Sequence, residues 1–154
     1  MKKFLSFLAI GAIVLGMASC GGNDPQIGLP DNFVKHMIFD QQFEKDGSLR
    51  IFLFTNDEWN SQDGSGINWK GDGSCLVVYL YPQDVLKYAG NYEQGKNLGV
   101  WYMQAKDGKM VISNSPAKDG GTIKVTENAD KSHTFDIDLS FEEIANYKGS
   151  IILK

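Results

Sequence analysis

The chain after its first 33 residues consists of short apolar stretches separated by turns rich in glycine, aspartate and asparagine. The alternation is clearest near the C-terminus, where every second residue from Phe135 to Phe141 is apolar and the residues between are polar. A period of two places such side chains on one face of a half-buried β-strand. The pattern predicts eight strands, at residues 34–43, 49–54, 75–81, 98–103, 109–113, 122–126, 134–141 and 147–153. One short helical turn is predicted at residues 84–88.

Two turn signals predict how neighbouring strands pair. Asp107-Gly108 is a dipeptide typical of two-residue hairpins. A five-residue loop at residues 128–132 would place Lys124 opposite Asp136 on the exposed face of the next hairpin. An exposed pair of opposite charges contributes little to stability, so this pair supports the register of the hairpin more than its stability.

One predicted strand carries apolar side chains on both of its faces. Leu49, Ile51 and Leu53 share one face, and Phe52 and Phe54 share the other. A strand of this kind is usually central and covered on both sides, or it carries an exposed apolar patch. This two-sided pattern favours an all-β fold, an antiparallel β-sandwich of about eight strands. A closed, lipocalin-like barrel is the alternative.

The first residues have the features of an export signal. Residues 1–3 carry two lysines, and the apolar stretch from Phe4 to Met17 is 14 residues long. A membrane-spanning helix needs about 20 residues, so this stretch predicts a removable signal peptide. Residues 15–20 end in Ala18-Ser19-Cys20 and resemble the bacterial lipoprotein box. The resemblance implies cleavage before the cysteine and lipid attachment to its thiol.

These features divide the chain into three parts. Residues 1–19 are the predicted lipoprotein signal peptide. Residues 20–31 hold the lipidated Cys20 and a glycine- and proline-containing stretch without apolar period, which predicts a flexible tether. Residues 32–154 form a single predicted β domain.

The mature chain would be acidic. Removing residues 1–19 removes two lysines and no acid, which leaves 13 basic and 19 acidic side chains and a net charge of −6. Nucleic acids and anionic membrane surfaces attract basic patches, so nucleic acid is not a predicted partner. The membrane is instead reached through the lipid on Cys20. Once that cysteine is acylated, Cys75 is the remaining thiol and an intramolecular disulfide is not expected.

The long stretch at residues 56–74 holds the residues most typical of a binding surface. Aromatic rings beside amide and carboxylate groups suit a sugar ring or a protein partner. The predicted ligand-binding residues of this loop are Trp59, Trp69, Asp57, Asn60 and Asp63. The alternative is that both tryptophans pack back onto the sheet. Trp101, which lies within a predicted strand, is expected in the core.

The sequence offers no pattern typical of catalysis, and no catalytic residue is predicted. His36 lies in a predicted strand and His133 at the end of a hairpin, opposite Glu127, and both are interpreted as solvated side chains. A hydrolase would need a nucleophile in a setting such as Gly-x-Ser-x-Gly, which the chain lacks. Cys75 stands at the head of an apolar strand and is interpreted as a small core residue.

Metal ligands and cofactors are not predicted either. The cysteines and histidines lack the spacing of a zinc site. The loop at residues 56–63 offers oxygen donors at Asn56, Asp57, Asn60 and Asp63, but Ser61 stands where a calcium-binding EF-hand requires glycine. We therefore expect no metal site and no cofactor.

Three segments together resemble a known group of proteins. The segments are Tyr79–Pro82 with Ala89–Tyr92, then Gly121–Val125, then Thr134–Leu139 with Tyr147–Ile151. They resemble the small, uncharacterised β-sandwich surface lipoproteins of Bacteroidetes-type bacteria, and the likeness covers residues 75–154. The resemblance implies attachment to the outer membrane, a binding or accessory role and no catalytic residues.

Together these observations predict a lipid-anchored protein of the outer membrane, on the cell surface or the periplasmic face. Its expected role is non-catalytic binding or scaffolding, with a glycan or a protein as partner. The alternative is a lipocalin-like carrier of a small apolar ligand, which the two-sided apolar strand would suit.

Overall fold

A computed structural model describes residues 33–41, 48–64, 66–83, 87–142, 144 and 146–154. The predicted signal peptide, Cys20 and the tether lie outside the described residues. So does most of the helical turn predicted at residues 84–88.

The described chain is all-β, and its residues contain no helix. Nine strands follow one another, and each predicted strand has a counterpart among them. They are β1 Lys35–Gln41, β2 Ser48–Phe54, β3 Gly73–Leu80, β4 Gly90–Glu93, β5 Leu98–Lys106, β6 Lys109–Pro116, β7 Thr122–Glu127, β8 His133–Leu139 and β9 Tyr147–Leu153.

The strands form two antiparallel sheets that pack as a sandwich. A five-stranded sheet has the order β1-β2-β3-β5-β6, and a four-stranded sheet has the order β4-β7-β8-β9. The chain crosses between the sheets before β4, before β5 and before β7. In the described part of the chain the sheets do not close into a barrel, so the barrel alternative is wrong. The predicted antiparallel sandwich is confirmed.

The main core lies between the two sheets. One face of β2 and β3 contributes Leu49, Ile51, Leu53, Leu76, Val78 and Leu80. The four-stranded sheet contributes Tyr92, Ile123, Val125, Phe135, Ile137, Leu139, Tyr147 and Leu153. Each of these side chains is at most 7% exposed, so the alternating positions predicted from the sequence form the buried layer.

The hairpin between β7 and β8 has the register that the sequence predicts. Lys124 pairs with Asp136, and Glu127 pairs with His133. Asn128 donates its backbone N–H to the carbonyl of Ser132 at 2.8 Å and closes the loop. A shift of one residue would turn every buried side chain of β8 toward water, which is why the hydrophobic pattern specifies this register.

Strand β4 was not predicted, because residues 91–97 have the composition of a turn-rich link. Only Tyr92 of its four residues is buried, and it lies opposite Ile123 of β7. A strand this short with one apolar residue has no readable period. The turn itself follows the strand, at residues 95–97.

The five-stranded sheet is apolar on its outer face as well. Phe52, Phe54, Cys75, Val77 and Ala105 form a second buried cluster there, together with Trp59 of the following loop. The prediction that β2 is central and covered on both sides is therefore confirmed. The described residues of the connection between β2 and β3, 55–64 and 66–72, cover part of this outer face.

Candidate binding site

The connection between β2 and β3 folds back over the outer face as a closed loop. Asn60 and Asn68 exchange two backbone hydrogen bonds, at 3.0 and 2.7 Å, and so form the neck of the loop. The amide of Asn56 donates to the carbonyls of Lys70 and Asp72, at 3.3 and 2.7 Å. Residues 61–64 and 66–67 are thereby held as a flap against the sheet.

Trp59 fastens this loop to the sheet. Its side chain is fully buried, with an exposed fraction of 0%, and its Nε1–H donates to the carbonyl of Lys70 at 3.1 Å. Of the two alternatives left open by the sequence, packing back onto the sheet holds for Trp59, whose ring belongs to the buried cluster on the outer face. Trp69, in contrast, is 38% exposed, and its ring centroid lies 6.4 Å from that of Trp59.

The polar residues predicted beside the tryptophans do not converge on a cleft. Asp57 is exposed, and its carbonyl accepts a hydrogen bond from Lys35. The side-chain amide of Asn60 stays within the neck of the loop, where it donates to the backbone carbonyl of Glu58 at 3.3 Å. Asp63 is exposed at the flap. An open groove lies beside the flap, and none of the five predicted binding residues is among its described lining residues.

The flap covers only part of the outer face and leaves an open groove beside it. The groove has a volume of about 360 Å³ and is lined by Phe52, Gly66, Ile67, Val77, Tyr79, Trp101, Met103 and Asn114. The lining residues come from strands β2, β3, β5 and β6 and from the flap. We call this cleft the outer-face groove.

Two aromatic rings form a corner in the outer-face groove. Tyr79 and Trp101 meet edge to face, with ring centroids 5.0 Å apart and an interplanar angle of 82°. Gly99 makes room for this arrangement, because a Cβ at that position would lie 2.8 Å from Cη2 of Trp101. Trp101 is half-buried in the groove rather than enclosed in the core, so the expectation that it is a core residue is wrong.

Arg50 links the groove to the flap. Its guanidinium carbon lies 4.4 Å from the centroid of the Tyr79 ring, and Nη1 donates to the carbonyl of Gly64 in the flap. Burial raises the pKa of the Tyr79 hydroxyl above its usual value, although the positive charge of Arg50 opposes the rise. The described lining residues themselves carry no charged side chain. The groove is therefore suited to a neutral ligand.

The groups considered for catalysis lie elsewhere. His36 is exposed on the edge strand β1, and His133 lies in the other sheet, with its ring centroid 5.0 Å from that of Tyr88. Cys75 is fully buried, as predicted for a core residue. Among the described residues, no group of three or more histidine, cysteine, aspartate or glutamate side chains could hold a metal ion.

Burial raises the pKa of the Cys75 thiol far above its ordinary value of 9.0, which predicts a stability effect at alkaline pH. Above pH 9 the unfolded chain releases this proton and the native chain does not, so the stability contributed by the neutral thiol declines as pH rises. The advantage of the wild type over Cys75→Ala in free energy of unfolding should shrink by about 1.4 kcal/mol between pH 8 and pH 10. Urea unfolding of both proteins at the two pH values measures this; an unchanged difference would show that the thiol ionises in the native state.

Searches with this chain against protein families, curated proteins and solved structures found no significant match. A scan of the described residues for membrane-spanning helices also found none.

Proposed function

We propose that this chain is a lipid-anchored protein of the outer membrane, on the cell surface or the periplasmic face, that binds a glycan or protein partner without catalysis. The apolar stretch that ends in Ala18-Ser19-Cys20 supports the anchor. The binding role is supported by one observation above the others, the outer-face groove. A sandwich whose core is already buried between its sheets does not need an open aromatic cleft for stability.

The groove has the features common to ligand sites. It is concave and mostly apolar, with the amide of Asn114 and the hydroxyl of Tyr79 as polar side-chain groups. Its rings are positioned by rigid strands and by Gly99, so a ligand would meet a preformed surface. A carrier of lipocalin type would require a closed barrel, which the two sheets do not form, and we do not propose it.

The non-catalytic part of the proposal is supported by the position of the reactive groups. Cys75 is buried, and neither His36 nor His133 is among the described residues that line the groove. A general base within hydrogen-bonding reach of a bound ligand is the first geometric requirement of acid–base catalysis.

Growth with a palmitate analogue tests the anchor. The wild type should incorporate the label, and Cys20→Ala should not, because the thiol of residue 20 is the proposed site of acylation. Cys75→Ala is the matched control and should be labelled like the wild type, since that thiol is buried. Two or three acyl chains hold a protein on a membrane stably. Equal labelling of wild type and Cys20→Ala would refute the anchor.

A further inference from the structure

We propose that the outer-face groove binds a neutral sugar ring, a pyranose, with the aromatic corner of Tyr79 and Trp101 as its apolar contact and Asn114 as its hydrogen-bonding group. This inference rests on the proposed binding function and names the class of ligand. Three properties of the groove support it: its charge, its size and the distribution of its polar groups.

The charge of the groove favours an uncharged ligand. None of its described lining residues is acidic or basic. The guanidinium of Arg50 lies 4.4 Å from the centroid of the Tyr79 ring and donates a hydrogen bond to the carbonyl of Gly64. Neither an anionic nor a cationic ligand would meet a side chain of opposite charge among these lining residues, so the loss of its hydration there would be unfavourable.

The size of the groove favours one ring. Its volume of about 360 Å³ is near the lower end of the range for small-molecule sites. This volume fits a single ring, with Gly66 and Ile67 of the flap and Asn114 of β6 among the lining residues.

The arrangement of polar and apolar groups matches the two surfaces of a sugar. The C–H face of a pyranose is apolar and slightly positive, and the face of an aromatic ring is slightly negative, so the two attract. The hydroxyl groups at the edge of the sugar both donate and accept hydrogen bonds. The amide of Asn114, which is exposed beside the groove, can also do both.

The test measures binding of methyl glycosides of glucose, galactose and mannose to the chain that begins at residue 21, which retains every described strand. Ligand-detected NMR gives the affinities, and a single ring should bind with a dissociation constant on the order of millimolar. At least one glycoside should bind the wild type. Trp101→Ala should weaken that binding by about tenfold, since an aromatic stacking contact is worth up to about that ratio. Trp69→Ala, which removes an exposed tryptophan outside the groove, should leave the affinity unchanged.

A second variant and a second probe separate the possible failures. Asn114→Ala removes an exposed side chain, so it should keep the fold, and it should weaken glycoside binding several-fold. The second probe is the apolar compound N-acetylphenylalaninamide, which should bind weakly or not at all to the wild type. Binding of that probe without any glycoside, abolished by Trp101→Ala, would overturn the sugar and retain the groove as a site for a protein side chain. Binding of neither probe class would overturn both the sugar and the groove as a binding site. Glycoside binding that survives Trp101→Ala and Asn114→Ala would place the sugar elsewhere and overturn this inference.

Discussion

A chain that ends at residue 146 is expected to be unfolded. Truncation removes β9, which pairs with β8 along seven residues from Tyr147 to Leu153. It also removes the buried side chains at both ends of that strand and exposes the edge of β8, including Phe135 and Ile137. A domain of this size has only about 5–15 kcal/mol of stability, so the loss of an entire core strand exceeds what it can tolerate. Far-UV circular dichroism with thermal melting measures the result.

The matched control is the chain that ends at residue 153. Lys154 is exposed and lies outside the strand, so its removal should leave the melting temperature unchanged. If the chain ending at residue 146 gives the same spectrum and melting curve as the whole chain, β9 contributes nothing to the sandwich and the packing of the four-stranded sheet described above is wrong.

Trp59→Ala is expected to lower the free energy of unfolding by about 3–5 kcal/mol, the usual cost of emptying a buried tryptophan site. The substitution removes a ring that covers the outer face beside Phe54 and Cys75. It also removes the hydrogen bond from Nε1 to the carbonyl of Lys70, which holds the loop closed. Urea unfolding followed by circular dichroism measures the difference.

Trp69→Ala is the control for the same chemical change in the same loop. Because 38% of Trp69 is exposed, its loss should cost about 1 kcal/mol or less. Equal costs for the two substitutions would show that Trp59 is not the residue that fastens the loop to the sheet.

The order of the strands along the chain could be predicted because the hydrophobic period is local. The residues from Phe135 to Phe141 alternate without interruption, and the predicted pairing of Lys124 with Asp136 is confirmed. β4 could not be predicted, because a four-residue strand with one buried side chain depends on its partner β7 and not on its own pattern. The assignment of strands to the two sheets depends on long-range pairing and is not visible in any single segment.

The sequence left two alternatives open for Trp59 and Trp69 and placed Trp101 in the core; Trp59 follows the alternative of packing back onto the sheet, and the expectation for Trp101 is wrong. Trp59 lies among polar residues yet is fully buried, and Trp101 lies within a strand yet lines an open groove. The reason is the outer face of the five-stranded sheet, whose aromatic residues require a cover that residues 55–72 provide only in part. The apolar residues on both faces of β2 were the one feature of the sequence that predicted a segment covering the outer face.

The groove itself had a weaker signal in the sequence. Gly99 and Trp101 are two residues apart on one face of β5, and Tyr79 lies opposite Gly99 on β3. A glycine beside a tryptophan on one face leaves space for the ring to lie over it. The sequence does not show that β3 and β5 are neighbours in the sheet. The contact between Tyr79 and Trp101 could therefore not be predicted from it.

The central claim is that the binding surface is the outer-face groove beside Trp101 and not the part of the loop around Trp59 and Trp69. Its most direct test is two-dimensional NMR of the three tryptophan indole N–H groups. Assigned signals would be followed while the methyl glycosides and N-acetylphenylalaninamide are added in turn. We predict that the Trp101 signal moves in a saturable way with a ligand that binds, and that the signals of Trp59 and Trp69 stay in place. Movement of Trp69 or Trp59 with Trp101 unchanged would contradict the claim and locate binding at the loop.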